Sequence, residues 1–222
     1  MDYKKILMIG GGIAITFVLL LGAFYLTSKP QQTSFPQLTK LNSDDQVRWA
    51  TESANILIEY SDFQCPACGT YFGLIESLNT DEDFVTNAKN KIAFVYRHFP
   101  LDNAHPNARV AAYATEAAGY QGKFWQMHDL LFTRQEEWSE SDKPEELFKE
   151  YAKEIELDLE LFETDRTSSK TADRVQNNYR SGLDVKVQGT PTFFLNGVKL
   201  QNPNSAENFK ELLLNGIQSK DN

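Results

Sequence analysis

Residues 6–26 form an apolar stretch with no charged side chain, long enough for the ~20 helical residues that a bilayer core requires. Further on, two short apolar runs, Ile56-Leu57-Ile58-Glu59-Tyr60 and Ile92-Ala93-Phe94-Val95-Tyr96, read as buried strands. Between them Tyr71, Phe72, Ile75 and Leu78 recur at helical spacing, which predicts a helix from Pro66 to about Leu78. Strand, helix and strand at this spacing predict a right-handed βαβ unit with a parallel strand pair.

Helical patterns then dominate. Ala104–Tyr120 is alanine-rich, and Phe124–Phe132 carries Met127, Leu130 and Leu131. Asp142-Lys143-Pro144-Glu145 looks like a helix start, with Asp142 as the cap, a glutamate three residues on and an early proline. Leu147, Phe148, Tyr151, Ala152 and Ile155 give that helix an apolar face, and two further short helices are expected before Gly182. Thr192-Phe193-Phe194-Leu195, Asn196-Gly197 and Val198-Lys199-Leu200 read as a hairpin, because Asn-Gly suits a type I′ turn. Ser205–Ile217 closes as a helix with Phe209, Leu212, Leu213 and Ile217 on one face. Near the start, Ser43-Asp44-Asp45 is expected to cap a short helix running to about Thr51. The order βαβ, helical insert, ββα predicts an α/β domain.

The N-terminus bears on location. Lys4 and Lys5 precede the apolar run, so the positive-inside bias keeps Met1 cytoplasmic and sends the rest outside. A cleaved signal peptide is the competing reading, but the run exceeds the usual ~7–15-residue apolar region and Phe24-Tyr25-Leu26-Thr27 offers no small-x-small site. The expected organisation is a membrane anchor over residues 1–27, a flexible linker over 28–42 rich in Gln, Thr, Ser and Pro, and a domain over 43–220 with its insert at about 102–184. Either N-terminal reading puts the domain in an oxidising compartment.

Composition narrows the partners. The formal net charge is −9, so no basic face is expected for a phosphate backbone, and no nucleic-acid partner. Hydrophobic content of 41% is ordinary for a globular domain.

Cys65 and Cys68 are the only cysteines. So short a loop is a poor structural staple, and their chemistry must explain them. Cys65 follows a strand and opens a helix, where unpaired amides and the positive end of the dipole favour a thiolate. Pro66 sits in the first turn, where its missing N–H costs nothing. Cys68, one turn on, can reach Cys65 but is expected to be more enclosed. Zinc would need about four ligands; His98, His105 and His128 offer no matching spacing, and no metal or other cofactor is expected. An inert buried pair is the bland reading. Thr190-Pro191, directly before the Thr192–Leu195 strand, fits a tight turn.

Three segments carry a resemblance. Glu59-Tyr60-Ser61-Asp62-Phe63-Gln64-Cys65-Pro66-Ala67-Cys68, Tyr96-Arg97-His98-Phe99-Pro100-Leu101 and Val187-Gln188-Gly189-Thr190-Pro191-Thr192-Phe193-Phe194 resemble the DsbA-like thiol–disulfide oxidoreductases, in particular the membrane-anchored bacterial branch. The resemblance spans roughly Asp44 to Ile217. It implies a thioredoxin fold with a helical domain inserted between the βαβ and ββα halves, and a redox-active Cys65–Cys68 disulfide. It implies a cis Pro191 facing that pair, and a Thr190 backbone that binds an extended substrate by strand addition, beside Pro66 and Ala67. Glu59, six residues before Cys65, matches the family's buried acidic residue; a solvent-facing strand position is the alternative. His98 reads as strand-end packing, and Phe124 and Trp125 as core of the insert rather than substrate groove. Two positions depart from the best-known oxidases of the family, which carry His where Ala67 stands. Thr before the cis-proline also occurs in relatives that isomerise or reduce.

The expected activity is introduction of disulfides into cysteine-containing exported proteins, with a membrane redox partner restoring the oxidised pair. A reductase or isomerase on the same fold, and a redox-silent binding domain, are the alternatives.

Overall fold

The computed structural model describes residues 16–20, 22 and 33–218. Most of the apolar run 6–26 therefore lies outside the described residues. Of those described, 16–20 and 22 are helical, with Phe17, Val18, Leu19 and Leu20 exposed. No helix among the described residues is long and apolar enough to cross a membrane.

The chain divides between Thr33 and Ser34. In the larger part, β2 (Asn55–Ser61) and β3 (Ile92–His98) pair in parallel, as the apolar runs predict. Both strands are buried along their whole length, which accounts for continuous rather than alternating apolar sequence. The connecting helix α1 (Pro66–Leu78) has the predicted bounds, and α2 (Glu82–Asn87), capped by Asp81, follows it. β4 (Thr192–Leu195) lies antiparallel to β2, and β5 (Val198–Lys199) to β4. Asn196 and Gly197 both have positive φ, 51° and 79°, as a type I′ turn needs. The final helix, here called α9, spans Ala206–Gln218.

Between the halves run α3 (Ala108–Tyr120), α4 (Phe124–Thr133), α5 (Gln135–Trp138), α6 (Pro144–Glu154), α7 (Leu159–Arg166) and α8 (Ser169–Asp184). The sheet order is β1-β3-β2-β4-β5, with β1 (Gln46–Trp49) on the edge, antiparallel to β3. One sheet face packs Leu57, Phe94, Phe193 and Leu195 under Ile75, Leu78, Phe209 and Leu213. The other packs Ile56, Ile58, Tyr60, Val95 and Phe194 against Phe99, Val185 and Val187. A third core joins the insert to the site: Trp138, Phe148 and Phe162 continue through Met127 and Phe132 to Phe63, Tyr96 and Cys68. Each such large apolar side chain contributes about 1.5–3 kcal/mol by burial.

Several local expectations are corrected. The helix expected from Ser43-Asp44-Asp45 is instead strand β1. Asp45 does not cap: its two carboxylate oxygens accept from Arg97 Nε and Nη2, both at 2.9 Å, in a buried ion pair. Trp49 has φ 72°, and its ring packs on Phe84 and Phe94 at centroid distances of 5.3 and 5.0 Å. The linker expected to reach Asn42 is already part of the domain from Ser34, which bridges Val198. Leu38 is buried, and Phe35 N donates to Gly197 O at 2.7 Å. The first insert helix starts at Ala108, not Ala104. Lys143, not Asp142, holds the N-cap position of α6, with no side-chain cap. Gly182 does not end a helix but lies inside α8, the 16-residue last helix of the insert. A Cβ at that position would come within 2.6 Å of the Phe99 ring, so glycine lets α8 approach β3 closely.

Candidate active site

β2 ends in the turn that carries Cys65, and Asp62 builds that turn. One Asp62 carboxylate oxygen accepts from Gln64 N at 2.8 Å. The other accepts from Leu101 N at 2.8 Å and meets His105 Nδ1 at 2.7 Å. Cys65 is the N-cap residue of α1, with extended backbone, and Pro66 opens the helix. Pro66 and Ala67 are exposed; Cys65 is 7% exposed and Cys68 0%. Both cysteines are free thiols.

The Thr190–Pro191 bond is cis, as the resemblance implies. Pro191 is buried and Thr190 half-buried. The Cys65 thiol donates to the Thr190 carbonyl at 3.5 Å, so the proline turn and the helix start face each other. Asn202 Nδ2 donates to Pro191 O at 3.0 Å, tying the turn to the loop before α9.

The two sulfurs are electrostatically unlike. A hydrogen bond from the Cys68 thiol lowers Cys65 from 9.0 to about 5, helped by the amides of Cys68 and Ala67, while burial opposes the shift. Burial pushes Cys68 well above its ordinary value, reinforced by the Cys65 charge. The depression at Cys65 is reached without a side-chain donor at position 67. The Thr190 hydroxyl favours the thiolate further by proximity, without reaching hydrogen-bond geometry.

Glu59 is 3% exposed, which decides its orientation: it is a buried acid, not a solvent-facing strand residue. Burial raises it from 4.5 to about 8, and the Cys65 charge adds to the rise. It therefore stays protonated at neutral pH beneath the dithiol. Ser61 and Tyr96 bring two more buried hydroxyls to this region, close to Glu59 and Cys68 but, among the described residues, short of hydrogen-bond geometry with a partner. Burial raises Tyr96 well above its ordinary value, with the Cys68 and Glu59 charges next in weight.

The structure thus gathers Cys65, Cys68, Pro66, Ala67, Glu59, Thr190 and Pro191 at one place. His98 is buried in the core, its Nε2 2.9 Å from Glu116 Oε1. Phe124 is likewise core, and Trp125 donates from Nε1 to Val47 O at 3.0 Å. Among the described residues, no group of three or more His, Cys, Asp or Glu could hold a metal ion. Sequence reading gave no role to Gln64, Asn107 and Gln135, which join the redox loop to the insert. Gln64 Nε2 donates to Ser139 O at 2.6 Å, and Gln64 Oε1 accepts from Asn107 N at 2.6 Å. Only Gln64 lay inside a quoted motif; nothing in sequence connects residue 135 to residue 65.

A family model for thioredoxin matches residues 42–215. The chain belongs to the thioredoxin family. Within the family, its fold with a helical insert is that of DsbA-like structures. BdbD from Bacillus subtilis, in its oxidised form, aligns with a TM-score of 0.68 at 18% identity, over 85% of this chain and 99% of that one. Wolbachia pipientis alpha-DsbA1 aligns with a TM-score of 0.67 at 20% identity, over 86% and 100%. MdbA, a thiol-disulfide oxidoreductase from Corynebacterium diphtheriae, gives 0.60 at 18%, over 85% and 98%. At these identities the likeness is one of fold. Among curated relatives, a protein named Na(+)/H(+) antiporter NhaA 3 from Salinispora tropica is 35% identical over 175 residues, 79% of this chain and 25% of its own length. NhaA 1 from Salinispora arenicola is 43% identical over 154 residues, 69% of this chain and 22% of its own. The chain thus spans about a quarter of the length of these relatives.

Proposed function

We propose that this thioredoxin-family protein is a membrane-tethered thiol–disulfide oxidoreductase that introduces disulfides into exported proteins through Cys65. The observation that carries the reading is the asymmetry of the sulfurs. Cys65 is a stabilised thiolate beside exposed Pro66 and Ala67, whereas Cys68 is sealed and held neutral. A stabilised thiolate favours the reduced pair, so the oxidised pair gives up its disulfide readily.

In the oxidised form a substrate thiolate attacks the Cys65 sulfur, and the Cys65–Cys68 bond breaks. The electron pair leaves on Cys68, which takes a proton; neutral Glu59 is placed to supply it. The mixed disulfide is then attacked by a second substrate thiolate, and Cys65 departs as a thiolate. The substrate has gained a disulfide and the protein holds the two electrons, which a membrane redox partner would remove. The Thr190 carbonyl, beside Cys65, suits an extended substrate segment added along the cis-proline turn.

The anchor reading is supported by the uncharged run 6–26, by Lys4 and Lys5 before it, and by the exposed apolar side chains of Phe17–Leu20. It places the domain outside the cytoplasm. Ion transport is not carried over from the antiporter-named relatives, because the match covers a quarter of their length.

Thr190 and Ala67 favour a second reading, reduction or isomerisation. A refolding assay separates them, while trapping tests Cys65 as the exchanging sulfur on either reading. Cys68→Ser should accumulate mixed disulfides with exported proteins, and Cys65→Ser should not. The intact pair should restore activity to a reduced, unfolded substrate. Recovery only from scrambled-disulfide substrate would replace the oxidase reading with an isomerase. Unchanged turnover in Cys65→Ser would leave a binding domain.

A further inference from the structure

Gln135 is the first residue of α5, in the insert, yet its side chain acts on the redox loop. Its Nε2 donates to Phe63 O at 2.7 Å and to Cys65 O at 3.0 Å. The Cys65 carbonyl is also the acceptor of the first bond of α1, from Gly69 N at 3.2 Å. Opposite Gln135 stands Gly69, where a Cβ would lie 2.8 Å from Gln135 Oε1. The amide thus fills space that glycine leaves open. Its own helix is firmly held: Trp138 is fully buried and donates to Leu131 O at 2.8 Å. A long-range contact is therefore built from both sides, by a fixed donor in the insert and a vacated position on α1.

We propose that Gln135 is a positioning residue of the redox pair, through which the insert fixes the Phe63–Cys65 backbone and keeps the first-turn amides of α1 aimed at the Cys65 sulfur. Two physical effects follow. Donation to the Cys65 carbonyl draws off partial negative charge near the thiolate. Fixing that carbonyl also fixes the start of α1, so the Ala67 and Cys68 amides hold their direction. The proposal rests on the dithiol reading only in that Cys65 must ionise; it is indifferent to the direction of electron flow.

The test uses the reduced full chain and a small alkylating reagent, with Cys65 ionisation followed by the ultraviolet absorbance of the thiolate. No protein substrate enters, so failure of the oxidase reading leaves this result standing. Gln135→Leu keeps the volume and removes the donor. It should move the Cys65 titration to higher pH and slow alkylation in mildly acidic buffer by about threefold or more, the scale of one lost hydrogen bond. Gly69→Ala leaves Gln135 in place but pushes its flexible end aside, and should shift the titration the same way. The double variant should go no further than the larger single effect, because both remove one contact. If Gln135→Leu is too unstable to assay, Gly69→Ala alone decides. A wild-type titration in either variant, even with lowered thermal stability, would reduce Gln135 to a structural tie and overturn the proposal. Additive shifts would overturn it as well.

Discussion

Glu59 and Cys68 lie beneath the Cys65 thiolate, and burial drives both toward their neutral forms. For Glu59 this has a measurable thermodynamic consequence. The folded chain holds its proton up to about pH 8, while the unfolded chain releases it near 4.5. The folded state therefore binds more protons across that window, and stability from this residue is present below pH 4.5 and lost as pH rises toward 8. At pH 7 the cost is on the order of 3 kcal/mol. Glu59→Gln is expected to raise the melting temperature at pH 7–8 relative to wild type, with a smaller effect at pH 5, and to slow the step in which Cys68 leaves. Thermal melts across that range check it; destabilisation at both ends would contradict the assignment. The placement of Cys65 at a helix start and the deeper burial of Cys68 were legible in sequence, because a helix start after a strand is a local feature. The burial of Glu59 was not, because its neighbours Ile58 and Tyr60 face the opposite core, and only the helical layer above the sheet decides which face is wet.

Long, strongly periodic elements were read correctly: β2, β3, α1, the hairpin and the last helix all fall within a few residues of expectation. The failures share a cause. β1 is only Gln46–Trp49, too short for a period, and it is held by contacts with partners far along the chain. Arg48 Nη1 reaches Glu76 Oε1 at 3.1 Å and its Nη2 pairs with Asp129, while Asp45 holds Arg97. Asp45→Ala would leave the guanidinium of Arg97, 2% exposed, buried without its carboxylate. A loss of about 3–5 kcal/mol is expected, measured by denaturant unfolding, with the edge strand the first part to gain hydrogen exchange. A loss below about 1 kcal/mol, the scale of a surface pair, would show that the Asp45–Arg97 pair is not what holds β1 in place. Gly182 misled for a similar reason: glycine reads as a helix stop, but here it answers the Phe99 ring.

Taken as a whole molecule, the βαβ and ββα halves supply the sulfurs and the cis-proline turn, and the insert braces the redox loop before Cys65 through contacts among Gln64, Asn107 and Gln135. Redox state and fold stability are then linked. In the reduced protein the Cys65 thiolate is stabilised when folded, a contribution fully present above pH 9 and lost as pH falls through about 5. The disulfide form has no such contribution. Reduction is therefore expected to raise the melting temperature at pH 7, with the gap between the two forms narrowing toward pH 5. Paired melts with and without reductant check this, and an oxidised form more stable than the reduced one would contradict it.

The same linkage sets the reduction potential of the Cys65–Cys68 pair, which tests the oxidase reading most directly. Equilibrated against glutathione, the full chain should give a value nearer the ~−120 mV of a strong disulfide donor than the ~−270 mV of thioredoxin. A value at or below ~−270 mV would mean that the pair holds its disulfide too tightly to donate it, and that electrons flow from this protein to its substrates.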